Sequence, residues 1–91
     1  KSVSNTNDAI TEFTTIYPNP ASEQLFIEAG EAQLNFNRFQ IYNQLGQLVQ
    51  SEVSKQLIET VDVSTLAEGI YSIVLFTSDN QYVTKSFVKV K

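Results

Sequence analysis

Ten carboxylates, three Asp and seven Glu, are the main reactive side chains of this 91-residue chain, and neither His nor Cys is present. Two carboxylates a suitable distance apart are enough for glycosidase-type acid/base chemistry. Here Glu23, Glu28, Glu52, Glu59 and Glu68 stand singly at polar positions, the pattern of solvated faces rather than of a paired site. A domain of this size is also expected to lack room for a cleft of about 300 Å³ or more. Without His or Cys there is no imidazole base, no thiolate nucleophile, no Ser-His-Asp arrangement and no structural zinc set. Calcium loops follow D-x-[DN]-x-[DN]-G, of which Asp79-Asn80 is only a fragment. Gly30, Gly46 and Gly69 are isolated, so no glycine-rich loop cradles a phosphate. The chain reads as a non-enzyme with no catalytic residues, no metal and no cofactor.

Charge narrows the partners. Six basic against ten acidic residues leave a net charge of -4, which argues against a surface that must neutralise nucleic-acid phosphates. No apolar run approaches the length of about 20 residues that a membrane helix needs, so no membrane span is expected. The chain opens on Lys1 with no basic-then-apolar leader, and is expected to be a piece of a longer protein. All ten acids lie at or before Asp79, whereas Lys85, Lys89 and Lys91 follow it with no acid among them. The three lysines share odd parity, which places them, with Phe87, on one face of a regular strand. As edge protection they discourage sheet-to-sheet pairing. As a docking strip they would steer an acidic partner.

The elements that must carry these residues are strands. Val, Ile and Thr number 24 and Phe and Tyr ten, against five Ala, a strand-forming composition. Residues 1–12 are polar and aperiodic and read as a linker. From Phe13 to Lys91, apolar-alternating runs recur at the spacing of a sandwich. Seven strands are predicted: Phe13 to Tyr17, Gln24 to Glu28, Asn35 to Tyr42, Leu48 to Val53, Leu57 to Val63, Ile70 to Thr77 and Tyr82 to Val90. Asn43-Gln44-Leu45-Gly46 is a hairpin turn with a bulge, and Ser78-Asp79-Asn80 predicts another. Pro18-Asn19-Pro20 cannot donate to a ladder at two positions, so it ends the first strand in a bend or a blocked edge.

Period-two parity then predicts the core: Leu25 and Ile27, Phe39 and Ile41, Val61 and Val63, Tyr71 with Ile73 and Leu75, and Val88 with Val90. The sixth run is apolar on both faces, through Ile70, Val74 and Phe76 as well, and so is central. Leu66 is expected to plug the core from the corner before it. Phe26, Phe36, Tyr42 and Tyr82 serve core packing or strand-edge cover more readily than a sugar platform.

Three stretches in order, YPNPASEQLFIE, IYNQLGQLV and DVSTLAEGIYSIVLFTSDNQYVTKSFVKVK, resemble the type A C-terminal sorting domain of the type IX (Por) secretion system of Bacteroidetes. The most specific part is Leu66-x-x-Gly69-x-Tyr71 followed by a hairpin and a basic, Val-rich final strand. The resemblance implies an all-β, immunoglobulin-like β-sandwich that serves as an export address. Its partners would be the outer-membrane shuttle, translocon and sortase components of that system. It further implies passage through the periplasm and outer membrane to a secreted or cell-surface location, with removal by a sortase-type protease that can link cargo to lipopolysaccharide. The family's motif positions fall here on Pro18, Asn19, Pro20, Gly46, Val49, Leu66, Gly69, Tyr71, Lys85, Val88 and Lys89. The closing segment departs from the family in having spaced lysines rather than an adjacent pair.

Local physics bears on the same residues. Gly69 suits a positive φ before the sixth strand, and Tyr71 suits a tyrosine corner, with its ring buried and its hydroxyl bonded to the preceding loop. These residues therefore also have a purely architectural use. A second functional reading is a carbohydrate-binding or accessory sandwich of a secreted enzyme, which predicts a flat exposed aromatic face. A third is a small enzyme working through carboxylates alone.

Overall fold

The computed structural model describes residues 14–28, 36–55, 58–77 and 81–91. The expected linker at residues 1–12 and the Ser78-Asp79-Asn80 turn lie outside them. Seven strands follow in order: β1 Thr15–Tyr17, β2 Gln24–Glu28, β3 Phe36–Tyr42, β4 Leu48–Val53, β5 Thr60–Asp62, β6 Gly69–Thr77 and β7 Tyr82–Lys89. They form two antiparallel sheets, β1-β2-β5 and β4-β3-β6-β7. The chain is an immunoglobulin-like sandwich, with β3 and β6 central in the larger sheet.

Alternation fills the space between the sheets. Leu25 and Val61 from the small sheet meet Phe39, Ile41, Ile73 and Leu75 from the large one, all essentially inaccessible to solvent. Ile27 and Leu66 pack against this core half-buried. Burying a side chain such as Leu25 or Ile73 is worth about 1.5–3 kcal/mol, so these few residues supply most of the drive to fold. Phe36 and Ile58, joined by the Ile58 amide to the Phe36 carbonyl, close one end of the core, and Val63, whose amide donates to Glu23 O, closes the other with the wholly buried Ala21 and Phe87.

β7 overturns part of the expected core. Its buried residues are Val83, Phe87 and Lys89, while Val88 and Val90 are 37% and 39% exposed. The odd face, lysines included, is therefore the inner one. Phe87 decides the matter: its ring stacks on Tyr71 at 5.5 Å and 18°, and one aromatic with Val83 outweighs two valines in buried apolar area. Val88 instead lies opposite Ile70 on the outer face. Among the described residues no further layer covers that outer face, and Ile70 there is exposed.

The turn before β4 follows from Asn43 and Gly46. The Asn43 Oδ1 accepts the Leu45 and Gln47 amides at 2.9 and 3.0 Å, and Gly46 takes φ +82, a region open to glycine at no steric cost. The β3–β4 register shifts between Ile41 and Tyr42, which leaves Val49 as the extra, bulged residue.

Candidate functional site

The motif positions are scattered over seventy residues of sequence, and the fold gathers most of them at one end of the sandwich. The first contributor is the Pro18-Asn19-Pro20-Ala21 segment, whose two X–Pro bonds are cis. It leaves β1 in the small sheet and crosses to the outer edge of β7 in the large one. Ala21 pairs there in parallel with Lys89, giving Ala21 N–H to Val88 O and Val90 N–H to Ala21 O, both at 2.8 Å. The Asn19 side chain clasps the same edge. Its Oδ1 accepts the Val88 amide at 2.9 Å and its Nδ2 donates to Ser86 O at 3.5 Å. The expected bend is thus a hook over the final strand, which blocks that part of the edge.

The second contributor is the corner before β6. The Tyr71 hydroxyl donates to Ala67 O at 2.6 Å while its ring is buried against Phe87, the tyrosine-corner geometry. Gly69 has φ +155 and lies opposite Lys89. Corner, hook and final strand together line an open cleft of about 480 Å³, formed by Ser22, Glu23, Ser64, Leu66, Ala67, Glu68, Lys89 and Lys91. The expectation that the chain lacks room for such a cleft is wrong. The separation of hook from corner, invisible in sequence, leaves it open. A smaller hollow next to it joins Glu68, Gly69 and Tyr71 to the β3–β4 turn through Asn43, Gln44 and Leu45, which brings the Gly46 turn to the same end.

The lysines divide. Lys89 is only 6% exposed, contrary to the expected exposed strip. Its stem lies in the sandwich end while the residue lines the cleft, as long basic side chains do when they bury methylenes and keep the ammonium near water. Lys91 is exposed and lines the cleft too. Lys85 is half-buried and lies opposite Ile73 in mid-strand, away from this end. The continuous basic strip does not exist as drawn.

The cleft carries both signs of charge, Glu23 and Glu68 against Lys89 and Lys91. Both glutamates are exposed. Asp62, at the end of β5, has its carboxyl shifted by its neighbours. The Ser64 hydroxyl, at 2.7 Å, and then the Ser64 amide, at 2.9 Å, hold it below the usual range. Among the described residues no group of three or more acidic side chains is placed to hold a metal ion. No helix there is long and apolar enough to cross a membrane.

Among the described residues, the outer face of the large sheet does not form an open aromatic platform. The Arg38 guanidinium lies 3.9 Å from the centroid of the Phe76 ring, covering it, and Tyr82 tilts at 47° to that ring. Tyr17 and Phe26 pair at 5.6 Å on the small sheet. Phe36 alone of the four aromatics set aside for packing or edge cover is fully buried.

Fold and site define a small all-β sandwich whose last strand, β7, is clasped by the turn after β1. The chain belongs to the secretion-system C-terminal sorting domain family of the type IX pathway, whose model matches residues 15–90. This is a family of sorting signals and not of enzymes. Among solved structures it is similar to PorZ, an essential bacterial surface component of the type IX secretion system of Porphyromonas gingivalis. The identity is 14% and the TM-score 0.64, over 94% of this chain and 12% of that one. That likeness concerns the fold. No curated protein sequence matches the chain.

Proposed function

We propose that this domain is the address that sends an attached cargo protein across the outer membrane, and that the export machinery reads the folded end of the sandwich. The observation that carries the reading is the family match over residues 15–90. The gathering of Pro18 to Pro20, the Gly46 turn, Leu66, Gly69, Tyr71, Val88 and Lys89 at that end supports its choice as the recognised surface. Being a signal and being folded are then one property, because hook, corner and cleft exist only in the folded chain.

The partners on this reading are the outer-membrane shuttle, the translocon and a sortase. The shuttle and translocon engage the cleft end, and the sortase cuts within residues 1–12, whose polar, aperiodic sequence is that of a linker. Cargo released by that cut is secreted or is attached to lipopolysaccharide at the cell surface. The test is a fusion of residues 13–91 to an unrelated periplasmic reporter in a host with a working type IX system. Export of the reporter, lost in an otherwise identical host without the translocon, is the expected result. Retention in the periplasm with the domain folded would overturn the reading.

A further inference from the structure

Sandwich proteins must manage their sheet edges, since unpaired backbone groups recruit further strands. Among the described strands, three of the four sheet edges are managed. β7 is clasped by Asn19 and Ala21 over its last residues, and its remaining part carries Lys85. β1 has three residues and runs into Pro18. β5 also has three residues, and its Asp62 carbonyl accepts the Gln50 side chain at 2.7 Å.

β4 is different. It has six residues, no proline, no lysine and one charge, Glu52. The Ser54 amide donates to Asn37 O, and the register runs Arg38 to Val53, Phe39 to Glu52, Gln40 to Ser51 and Ile41 to Gln50. Antiparallel ladders alternate bonded and non-bonded pairs. Glu52 and Gln50 therefore bond inward to β3, while the N–H and C=O of Ser51 and Val53 point away from the sheet. No other backbone hydrogen bond among the described residues engages either one. Beside this open row stand Leu48, Val49 and Val53, exposed by 51%, 41% and 75%.

We propose that β4 is a docking edge for a second copy of this chain, the two β4 strands pairing antiparallel about a two-fold axis at Ser51. The sequence is self-complementary in that register. Ser51 faces Ser51 of the second copy, Val49 faces Val53, and Gln50 faces Glu52, so no charge meets its like. Moving the axis to Glu52 would set the two carboxylates opposite each other, which is destabilising in a cross-strand pair. Because the two-fold sets Val53 of each copy against the bulged Val49 of the other, regular pairing is confined to Gln50–Glu52 of each strand, and the joined edge makes one eight-stranded sheet. An interface of one strand pair lies at the small, transient end of the range, so its dissociation constant is expected above about 1 µM.

Sedimentation velocity of the 91-residue chain, from about 10 µM to about 1 mM, brackets such an interface. The expected result is a reversible monomer–dimer equilibrium, with the Ser51 amide slowing in hydrogen exchange as concentration rises. Two variants locate it. Ser51→Pro removes an outward N–H and no ladder bond. Val53→Glu places its charge beside Arg38 within one copy but opposite Val49 in the dimer. Each is expected to weaken association at least about tenfold with the melting temperature of the monomer retained. A chain that stays monomeric throughout, or a dimer that neither folded variant weakens, would overturn the proposal.

Discussion

Asn19 and Val88 stand sixty-nine residues apart in sequence, yet the Asn19 Oδ1 accepts the Val88 amide proton at 2.9 Å. One side chain in the first turn thereby closes the edge of the last strand. Asn19→Ala removes that bond and the weaker one to Ser86 and leaves the Ala21–Lys89 bridge in place. The expected loss is about 0.5–1.5 kcal/mol, read by chemical denaturation. The Val88 amide should exchange faster while the Ile41 amide, in the core of the same sheet, does so only in proportion to the global change. An unchanged Val88 amide would show that the clasp does not form in solution.

Tyr71 offers a cleaner subtraction. Tyr71→Phe keeps the ring on Phe87 and deletes only the hydroxyl bond to Ala67 O. Loss of this bond is expected to cost about 1–3 kcal/mol, since the carbonyl loses its partner in a part-buried corner. The measurement is the denaturation midpoint at constant slope. A variant as stable as the parent would mean that water replaces the hydroxyl at no cost.

The two glycines test backbone conformation separately from space. An added Cβ at Gly46 meets nothing within 4 Å, and one at Gly69 meets only Tyr71 Cε1 at 3.9 Å, so the Cβ itself creates no clash at either position. The φ values of +82 and +155 are nonetheless ones that L-residues rarely adopt. Gly46→Val and Gly69→Val are each expected to destabilise by about 1–3 kcal/mol through strain. At Gly46, Asn should recover much of the loss, because Asn tolerates the left-handed region. Equal melting temperatures for Val, Asn and Gly at position 46 would exclude strain there.

How much of this was legible in the sequence depends on the distance over which each feature is encoded. The β2 and β4 spans, the Asn43–Gly46 turn and the Gly69–Tyr71 corner were readable, because turn chemistry and period-two alternation act over a few residues. The inner face of β7 was misread: Val88 and Val90 suggest one parity, and only the tertiary stack of Phe87 on Tyr71 selects the other. A lysine at 89 looked like an outside residue because sequence does not show which stems lie at the end of a sandwich. The Ala21 bridge to Lys89 left no sequence signal beyond the prolines that end β1, since its bonds are backbone to backbone across almost the whole chain. The cleft was missed for the same reason.

Asp62 gives a pH signature. Its carboxyl is held below the ordinary value by the Ser64 hydroxyl first and the Ser64 amide second. A depressed folded pKa means that the group's contribution to stability is fully present above the unfolded value, about pH 4. It is lost as pH falls through the folded value. In Ser64→Ala the larger cause is gone, and the Asp62 carboxyl, followed by carbon-13 NMR titration, should titrate closer to the ordinary range. No movement would mean that the serine hydroxyl points elsewhere in solution.

The lysines now call for separate treatment, because burial distinguishes them. Lys89→Met keeps an unbranched apolar stem in the sandwich end and deletes the ammonium at the cleft, whereas Lys89→Gln also shortens the stem. Lys91→Gln acts on an exposed side chain, where substitutions usually move stability by no more than about 0.5 kcal/mol. If the cleft end is what the export machinery reads, the pair Lys89→Met with Lys91→Gln should lower secretion of a reporter fusion at an unchanged melting temperature. The effect should shrink as salt rises in a binding assay, since exposed charges act through steering that salt screens. Lys85→Gln, half-buried in mid-strand and away from the cleft, should leave secretion unchanged and serves as the internal control. Normal secretion of the Lys89→Met, Lys91→Gln pair would remove charge from the recognition code and move the recognised surface to the Asn19 hook and the Gly46 turn. A loss with Lys85→Gln equal to that of the pair would instead restore the whole lysine set as the signal, cleft or no cleft.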